Sequence, residues 1–251
     1  MKRTVWKNAI QTAAAIGVMV VVWLVIYACV GNDLLVPSLS DTLFAFFETL
    51  GAGWFWLAFL DTLLRVLLAF AFSFLLAIVY AVTAYLLPAF SRFFAPFVAF
   101  LRSLPVLAVL LVVLMWSNAG VAPVVVAFLS LFPMLYTGFY AGLAGVDNEL
   151  AEMSRVFQVP LKKRVFDLYL PTLTPYLFRE SGGAIGFGVK LVVSAEVLAR
   201  TAGSLGNAMQ EAQLFSQTPL LFALVLVACF TGFVFQMLGE CLARWFERSG
   251  K

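Results

Sequence analysis

Long apolar segments follow one another along almost the whole chain, and a soluble fold could not bury that much apolar surface. The mean hydropathy is +1.02, with 63% hydrophobic and only 12% charged residues, whereas soluble domains carry about 25% charged residues. Lipid is therefore the solvent expected for most of the surface. We predict an all-α polytopic membrane protein that forms one transmembrane domain over residues 1–251, with no appended soluble module.

Six segments are long and apolar enough to cross a bilayer as helices, which takes about 20 residues each. The first exceeds the core of a signal peptide, so we expect it to be retained as a span. Arg102-Ser103-Leu104-Pro105 interrupts the third, and Pro37-Ser38 opens a predicted amphipathic helix between the first two. The predicted spans are residues 9–30, 59–87, 93–116, 121–143, 181–198 and 219–242.

Basic residues collect on one side of this topology. The longest polar region, residues 145–180, contains Lys162-Lys163-Arg164, the densest basic cluster in the chain, and both termini are also basic. The positive-inside rule places this loop and both termini in the cytoplasm. A second polar segment with Arg200 and Glu211 is predicted to be an outer loop.

The long loop is predicted to form two short helices. An amphipathic helix outside the membrane either lies on the leaflet or docks on a partner protein, and the pattern alone does not separate these uses. Its apolar residues at helical spacing are Leu150, Met153, Val156 and Phe157.

The sequence excludes several chemistries. It contains no histidine, so Ser-His-Asp triads and histidine metal sites cannot form. It also lacks a C-x-x-C pair and the ATP-binding pattern G-x-x-x-x-G-K-[ST]. We therefore expect no enzyme activity, no metal, no cofactor and no nucleic-acid partner for this chain. The alternatives are a membrane-bound enzyme, which these absences disfavour, and a stand-alone secondary transporter or channel.

The loop resembles the coupling motif of permease subunits in binding-protein-dependent ABC importers. That motif reads E-A-A, three residues, G, nine residues, I-x-L-P. Gln158 replaces the family's glycine at the turn between two short helices, and Pro160 follows it. The positions that align with the motif are Glu152, Met153, Ser154, Gln158, Leu168, Leu170 and Pro171.

Other segments resemble, in order, the subgroup of these permeases for sulfonates, taurine, nitrate and pyrimidine-type vitamin precursors. They are Val36-Pro37-Ser38, Thr62-Leu63-Leu64-Arg65-Val66, Leu101-Arg102-Ser103-Leu104-Pro105, Phe132-Pro133, Thr137-Gly138, Gly145-Val146-Asp147, Ala195-Glu196 and Gly203-Ser204-Leu205-Gly206.

The resemblance implies a multi-pass permease of the bacterial cytoplasmic membrane that forms half of a solute pathway. It implies a second permease copy or a homologue, a dimer of cytoplasmic ABC ATPases that binds ATP and Mg, and an extracytoplasmic solute-binding protein. The expected solute is a small organic anion or a vitamin precursor. The loop residues Glu152 to Pro171 would couple the chain to the ATPase.

Four polar residues in or beside the spans are candidates for the pathway or its gates. Lys190 lies near mid-span, where a charge must face a cavity or a partner, so it is either a pathway cation or half of a structural pair. Glu196 is expected to pair with Arg200 four residues later, as a structural or gating pair. Arg102 lies at the break in the third span, and Asn118 lies in a short outer turn.

Two further patterns concern packing. Asp61 and Arg65 are spaced as an i, i+4 ion pair. Gly138-x-x-x-Gly142 and Gly182-x-x-x-Gly186 have the small-residue spacing that allows close helix approach, although such spacing also arises by chance.

Overall fold

The structure, a computed structural model, describes residues 2–146 and 148–249, with side chains except at residues 2–13, 15–16, 148, 151, 155, 161 and 248–249. Asp147 of the Gly145-Val146-Asp147 segment lies outside this part of the chain. All regular elements in the described part are helical, which confirms the all-α class. They are α1 (Lys2–Val30), α2 (Leu39–Gly51), α3 (Gly53–Leu86), α4 (Pro88–Ser103), α5 (Val106–Trp116), α6 (Ala122–Ala144), α7 (Asn148–Val156), α8 (Leu161–Arg164), a π turn (Val165–Tyr169), α9 (Leu170–Ala199), α10 (Leu205–Leu214) and α11 (Thr218–Ser249).

Four of these helices are long and apolar enough to span a membrane: α3, α6, the helix over Lys162–Ala199, and α11. The pair α4 and α5 adds a fifth if it counts as one broken span, since the two helices bend by 92° where they meet. The predicted interruption before Pro105 is therefore confirmed. The predicted first span falls on α1, whose apolar part with described side chains, Gly17–Val30, is shorter than a span. The polytopic class is confirmed, with four or five candidate spans in the described part, whereas the predicted first span, residues 9–30, lies partly on residues whose side chains are outside that part.

The fifth span begins much earlier than predicted. The sequence analysis assigned residues 145–180 to a loop, but α8, the π turn and α9 continue as one helix to Ala199. Charged residues and Pro171 favoured the loop. Pro171 lies in the first turn of α9, directly after the π turn that the Leu170 N–H closes on the Val165 carbonyl. Proline is tolerated in the first turn of a helix, and the wider π turn accommodates the change of hydrogen-bond register before it. The segment around Glu211, predicted to be an outer loop, contains the short helix α10, which is not among the spanning helices.

Two of the shorter predicted elements are confirmed. The first loop helix is α7, and the amphipathic helix after Pro37 is α2. The second predicted loop helix, after Pro160, is not a separate element, because it forms the start of the continuous helix over α8, the π turn and α9. Ser38 is the N-cap of α2, because its Oγ accepts the Asp41 N–H at 3.1 Å. This contact satisfies one of the free amide groups that every helix start leaves.

The chain divides into two compact units, residues 1–56 with 208–227 and residues 57–207 with 228–251. In the first unit, Trp23 packs edge-on against Phe222 with ring centroids 5.2 Å apart, and its Nε1 donates to the Pro37 carbonyl at 3.2 Å. Thr218 Oγ1 donates to the Leu34 carbonyl at 2.7 Å. These contacts fasten α1, the segment before α2 and the start of α11 to one another.

In the second unit, α6 packs mainly against α9. The end of α9 meets α5 and the start of α6 in a buried cluster of Leu110, Ala122, Val126 and Ala195. Farther along α6, Phe132 belongs to a group of aromatic rings that joins α3, α4 and α6; the group comprises Tyr80, Phe94, Phe132 and Tyr136. Phe94 and Phe132 therefore serve packing within this unit.

Glycines bring α9 and α11 into backbone contact. A Cβ on Gly182 would lie 2.6 Å from the Cα of Gly239, and one on Gly186 would lie 2.6 Å from the Gly232 carbonyl oxygen. The predicted close approach at Gly182-x-x-x-Gly186 is confirmed. Gly138-x-x-x-Gly142 on α6 has the same role toward α9, because a Cβ at Gly142 would lie 2.8 Å from the ring of Tyr176.

Candidate functional site

Segments that are far apart in the sequence meet around Glu196, near the C-terminal end of α9. Glu196 has no exposed surface. Its Oε1 accepts from Arg65 Nη1 at 2.9 Å, and its Oε2 accepts from Thr62 Oγ1 at 2.9 Å and from the Gly206 N–H at 3.2 Å. A carboxylate with no access to solvent needs such a set of donors to remain ionised. We call Glu196, Arg65, Thr62 and Gly206 the Glu196 network.

Arg65 extends this network in two directions. Its Nη2 lies 2.7 Å from Asp61 Oδ2, which confirms the predicted i, i+4 pair, and its Nε donates to the Gly120 carbonyl at 3.2 Å. Beside it, Thr201 Oγ1 donates to the Ala119 carbonyl at 2.7 Å. The turn before α6 is thereby joined to both α3 and the end of α9.

The predicted partner of Glu196 was wrong, since its ion pair is with Arg65 of α3 and not with Arg200. Arg200 ends α9 in the left-handed conformation with φ of 51°, and the Thr201 N–H donates to the Glu196 carbonyl at 3.1 Å. This is the hydrogen bond of a helix C-terminal cap. An i, i+4 side-chain pair requires a helix that continues to the second residue, and α9 stops at Ala199.

The segment Gly203-Ser204-Leu205-Gly206 starts α10 against the same carboxylate. Ser204 Oγ accepts the Asn207 N–H at 3.1 Å, and the Leu205 N–H donates to Thr62 Oγ1 at 3.0 Å. A Cβ on Gly206 would lie 2.8 Å from the Val193 carbonyl oxygen and would also collide with the Glu196 side chain. Glycine is therefore required here, and the carboxylate lies at a helix N-terminus, where negative charge is favoured.

A cavity of about 450 Å³ lies beside the bend between α4 and α5. Arg102, exposed in the last turn of α4, and Glu180 of α9 supply its two charges. The Glu180 side chain occupies space that Gly138 leaves free on α6. The other lining residues are Leu101, Leu104, Val106, Ser130, Pro133, Met134, Thr137 and Phe187.

A second cavity of about 480 Å³ contains Lys190. Lys190 is one of its lining residues, and its side chain is exposed in the single chain. Gln236 of α11 lies on the opposite wall, and Met134 and Phe187 line both this cavity and the one at the bend. The two cavities are therefore neighbours, and we call them together the polar cavity surface.

Asn118 lies in the turn before α6 and has a capping contact there. Its Oδ1 accepts the N–H groups of Gly120 and Val121, both at 3.0 Å. It is not among the residues that line either part of the polar cavity surface.

The loop residues that were aligned with the coupling motif lie on the surface of the single chain. Glu152, Gln158, Pro160 and Pro171 are exposed, and Ser154 is half-buried. The apolar stripe of α7 faces outward, and the exposed fractions are 46% for Leu150, 52% for Met153, 78% for Val156 and 74% for Phe157. Leu170, at the start of α9, is 41% exposed. We call Leu150, Met153, Val156 and Phe157 the α7 surface.

Gln158 has a conformation that explains the glycine of the motif. Its φ is +50°, and the Val159 N–H donates to the Ser154 carbonyl at 3.0 Å, which ends α7 with a left-handed cap. Glycine adopts this conformation without steric conflict, whereas other residues meet a penalty of about 1–2 kcal/mol. Gln158 is therefore a less favourable residue than glycine at this turn.

Sequence reasoning missed several residues of these sites. The sequence predicted an ion pair of Arg65 with Asp61 only, and it indicated no role for Thr62. Glu180 was taken for a loop charge because the start of α9 was placed too late. Gln236 lies in the long apolar run of α11, and only its cavity identifies it.

Comparisons with known proteins agree with this geometry. The sequence profile of the family described as "Binding-protein-dependent transport system inner membrane component" matches residues 85–250. A Bacillus subtilis (strain 168) protein named "Putative aliphatic sulfonates transport permease protein SsuC" is 27% identical over 138 residues, which are 55% of this chain and 50% of that protein. A Brucella abortus (strain 2308) protein named as a probable ABC transporter permease is 28% identical over 159 residues, 61% of this chain and 63% of that one. The matches thus span about half to just under two thirds of these relatives.

A solved structure of the MetNI methionine ABC transporter in inward-facing conformations contains a chain of similar fold. The TM-score is 0.65 at 18% identity, and the match covers 76% of this chain and 96% of that one. At this identity the likeness concerns the fold. The profile match covers well over half of the sequence and includes α7, the turn at Gln158 and the end of α9. The chain therefore belongs to the family of binding-protein-dependent transport system inner membrane components.

Proposed function

We propose that the chain is the transmembrane subunit of an ATP-driven importer of the bacterial cytoplasmic membrane. It forms half of a solute pathway, and a second copy or a homologue supplies the other half. A dimer of cytoplasmic ATPases binds ATP and Mg and drives it, and an extracytoplasmic binding protein delivers the solute. Both termini and α7 lie in the cytoplasm in this proposal, in accord with the basic residues around them.

The observation that carries the proposal is the exposed α7 surface. Val156 and Phe157 are among the most exposed large apolar residues of the described chain, and α7 lies outside the helices that qualify as spans. Apolar patches that face water mark binding surfaces. Glu152 adds a charge at the edge of this surface, where it would favour one orientation of a partner.

The mechanical link from this surface to the spans is short. The turn at Gln158 leads into α8, and α8 continues through the π turn into α9 without a break. A displacement of the docked loop would therefore move α9 as a rod. Since α9 supplies Glu180 and Lys190 to the polar cavity surface, motion of the ATPases would change that surface directly.

The charges of the polar cavity surface favour an anionic solute. Two cations, Arg102 and Lys190, face it together with the single acid Glu180 and the amide of Gln236. Guanidinium and ammonium groups bind sulfonate and carboxylate groups through charge-assisted hydrogen bonds. We therefore propose a small organic anion, and the name of the Bacillus subtilis relative makes an aliphatic sulfonate the first solute to test.

Two matched variants test the docking role. Phe157→Asp and Phe215→Asp place the same charge at two phenylalanines that are each 74% exposed, but only Phe157 belongs to the α7 surface. The tagged full-length chain is purified from its native membrane, and the ATPase that accompanies it is quantified by mass spectrometry. Loss of an interface anchor costs about 2 kcal/mol or more, so Phe157→Asp should reduce the ATPase by about 30-fold while Phe215→Asp leaves it unchanged.

Two results would contradict the proposal. One is an unchanged amount of ATPase with Phe157→Asp. The other is solute uptake by the purified chain alone in liposomes without ATP, which would indicate a stand-alone transporter.

A further inference from the structure

A cleft of about 570 Å³ lies where α3 ends and the helix of α8 and α9 begins. This volume is within the range of about 300–1,000 Å³ typical of ligand sites. Most of its wall is apolar and comes from helices that span the membrane. The lining residues are Ile78, Val82, Tyr85, Leu86, Leu143, Arg164, Val165, Tyr169, Leu170 and Leu173.

One strong donor in this apolar wall has no acceptor. The Nε of Arg164 is buried and makes no hydrogen bond to any residue that the structure describes. A buried, unsatisfied donor is unfavourable, above all on a group that carries charge. The guanidinium group has the geometry to hold a phosphate through parallel hydrogen bonds.

The surroundings of Arg164 are those of a membrane interface. Tyr85 and Tyr169 meet edge-on at the cleft with ring centroids 5.9 Å apart, and tyrosine is enriched where lipid headgroups begin. Lys162 and Lys163 precede Arg164 and are exposed. Clusters of basic residues next to a span attract anionic headgroups.

We propose that this cleft binds an anionic phospholipid of the cytoplasmic leaflet. The phosphate accepts hydrogen bonds from Arg164, and an acyl chain lies along the apolar wall of Val82, Leu143 and Leu173. A single ligand with one charged and one long apolar part thus matches both the unpartnered donor and the apolar volume. Because the cleft is built from α8, the π turn and α9, the lipid binds to the element that connects the α7 surface to the spans. The assignment of the lipid to the cytoplasmic leaflet rests on the proposed function, whereas the binding of an anionic phospholipid in this cleft does not.

Lipid binding to the purified full-length chain tests this proposal. After delipidation in detergent, phosphatidylglycerol or phosphatidylcholine is added, and bound lipid is counted by native mass spectrometry. Arg164→Gln should weaken phosphatidylglycerol binding about tenfold, as expected for the loss of one charge-assisted contact. The matched control Lys163→Gln removes the same charge from the adjacent residue, outside the cleft, and should change the affinity about threefold at most, because an exposed, screened ammonium attracts the headgroup only at long range.

A second pair of variants leaves the charge intact. Val82→Trp fills part of the cleft, whereas Val79→Trp adds the same bulk on an exposed part of α3 that does not line it. Val82→Trp should reduce the binding of phosphatidylglycerol, and Val79→Trp should not. This pair is decisive if Arg164→Gln fails to fold.

Three results would overturn the proposal. The first is equal binding of the two lipids that neither Arg164→Gln nor Val82→Trp changes. The second is binding of inorganic phosphate at Arg164 that displaces no lipid, which would make the site a soluble-anion site. The third is loss of a bound second copy of the chain, instead of lipid, with Val82→Trp. Because no ATPase is needed for the assay, a chain that binds lipid but no ATPase would refute only the proposed function.

Discussion

Removal of Arg65 should destabilise the protein far more than removal of an exposed arginine. Glu196 is fully buried, and the side chain of Arg65 is 14% exposed, so Arg65→Met leaves a buried carboxylate with only the hydroxyl of Thr62 and one backbone N–H. Breaking a buried ion pair by removing one partner costs about 3–5 kcal/mol. Because Glu196 keeps two other donors and Arg65 is slightly exposed, we expect the free energy of unfolding to fall by an amount near the lower end of this range, about 3 kcal/mol. The melting temperature should fall by about 6–12 °C, at about 2–4 °C per kcal/mol for a chain of this size.

The assay is thermal unfolding of the purified chain in detergent, with Arg244→Met as the control. Arg244 forms an ion pair with Glu240 at 2.9 Å, the same length as the pair between Arg65 and Glu196, but it is 65% exposed. Exposed pairs contribute about 0–1 kcal/mol, so the control should melt within about 4 °C of the unmodified chain.

A double-mutant cycle separates the ion pair from general packing. Glu196→Gln removes the charge with little change in shape, and its combination with Arg65→Met removes both charges. The double variant should be more stable than the sum of the single effects predicts, by at least about 1 kcal/mol, because residues in one buried network are coupled. Additive effects, or a loss with Arg65→Met as small as that with Arg244→Met, would refute the reasoning.

Three other substitutions have expected outcomes that the structure fixes. Gln158→Gly should raise stability by about 1 kcal/mol, since it removes the steric penalty of a side chain in the left-handed conformation. Gln213→Gly within α10 should lower stability by about as much, because glycine destabilises a helix. Both changes are measured by thermal unfolding. Gly186→Ala should destabilise by about 1–3 kcal/mol, because its Cβ would meet the backbone of α11, whereas Gly183→Ala should be nearly neutral, since its Cβ makes an ordinary contact with a methionine. Lys190→Met should reduce ATP-driven uptake of an aliphatic sulfonate by about tenfold, as expected for the loss of one charge-assisted contact, with unchanged ATPase co-purification.

Each of these expectations has a clear contradiction. A stability loss with Gln158→Gly would show that the glutamine side chain makes a favourable contact which outweighs its backbone conformation. Equal effects of the two alanine substitutions would show that α9 and α11 do not meet at their glycines. Normal uptake with Lys190→Met, together with normal coupling, would exclude Lys190 from the pathway.

The parts of the fold that the sequence predicted are those with strong local signals. Hydropathy located α3, α6 and α11, and the amphipathic pattern and turn residues located α2 and α7. The break before Pro105 was also visible, because proline removes a backbone donor in mid-span. The start of α9 was missed because charge and proline normally indicate a loop, and only the π turn, which has no sequence signature, makes the helix continuous.

Contacts between distant segments could not be predicted in the same way. Local spacing offered Arg200 as the partner of Glu196, but the conformation of residue 200 and the approach of α3 decide the pairing, and both depend on tertiary structure. The motif segments around Thr62, Glu196 and Gly206 could be recognised individually. Their meeting point around one buried carboxylate, like the unpartnered Arg164 Nε in an apolar cleft, becomes visible only when the helices are packed.

Site-specific photo-crosslinking in native membranes tests most directly whether the α7 surface docks on an ATPase. A photoreactive amino acid is introduced at Val156, which is 78% exposed on α7, or at Phe215 as the control. The proposal predicts that irradiation at Val156 captures a protein whose peptides contain the ATP-binding pattern G-x-x-x-x-G-K-[ST], and that Phe215 does not capture it. Crosslinks from Val156 to lipid alone, or to a protein without that pattern, would contradict the account.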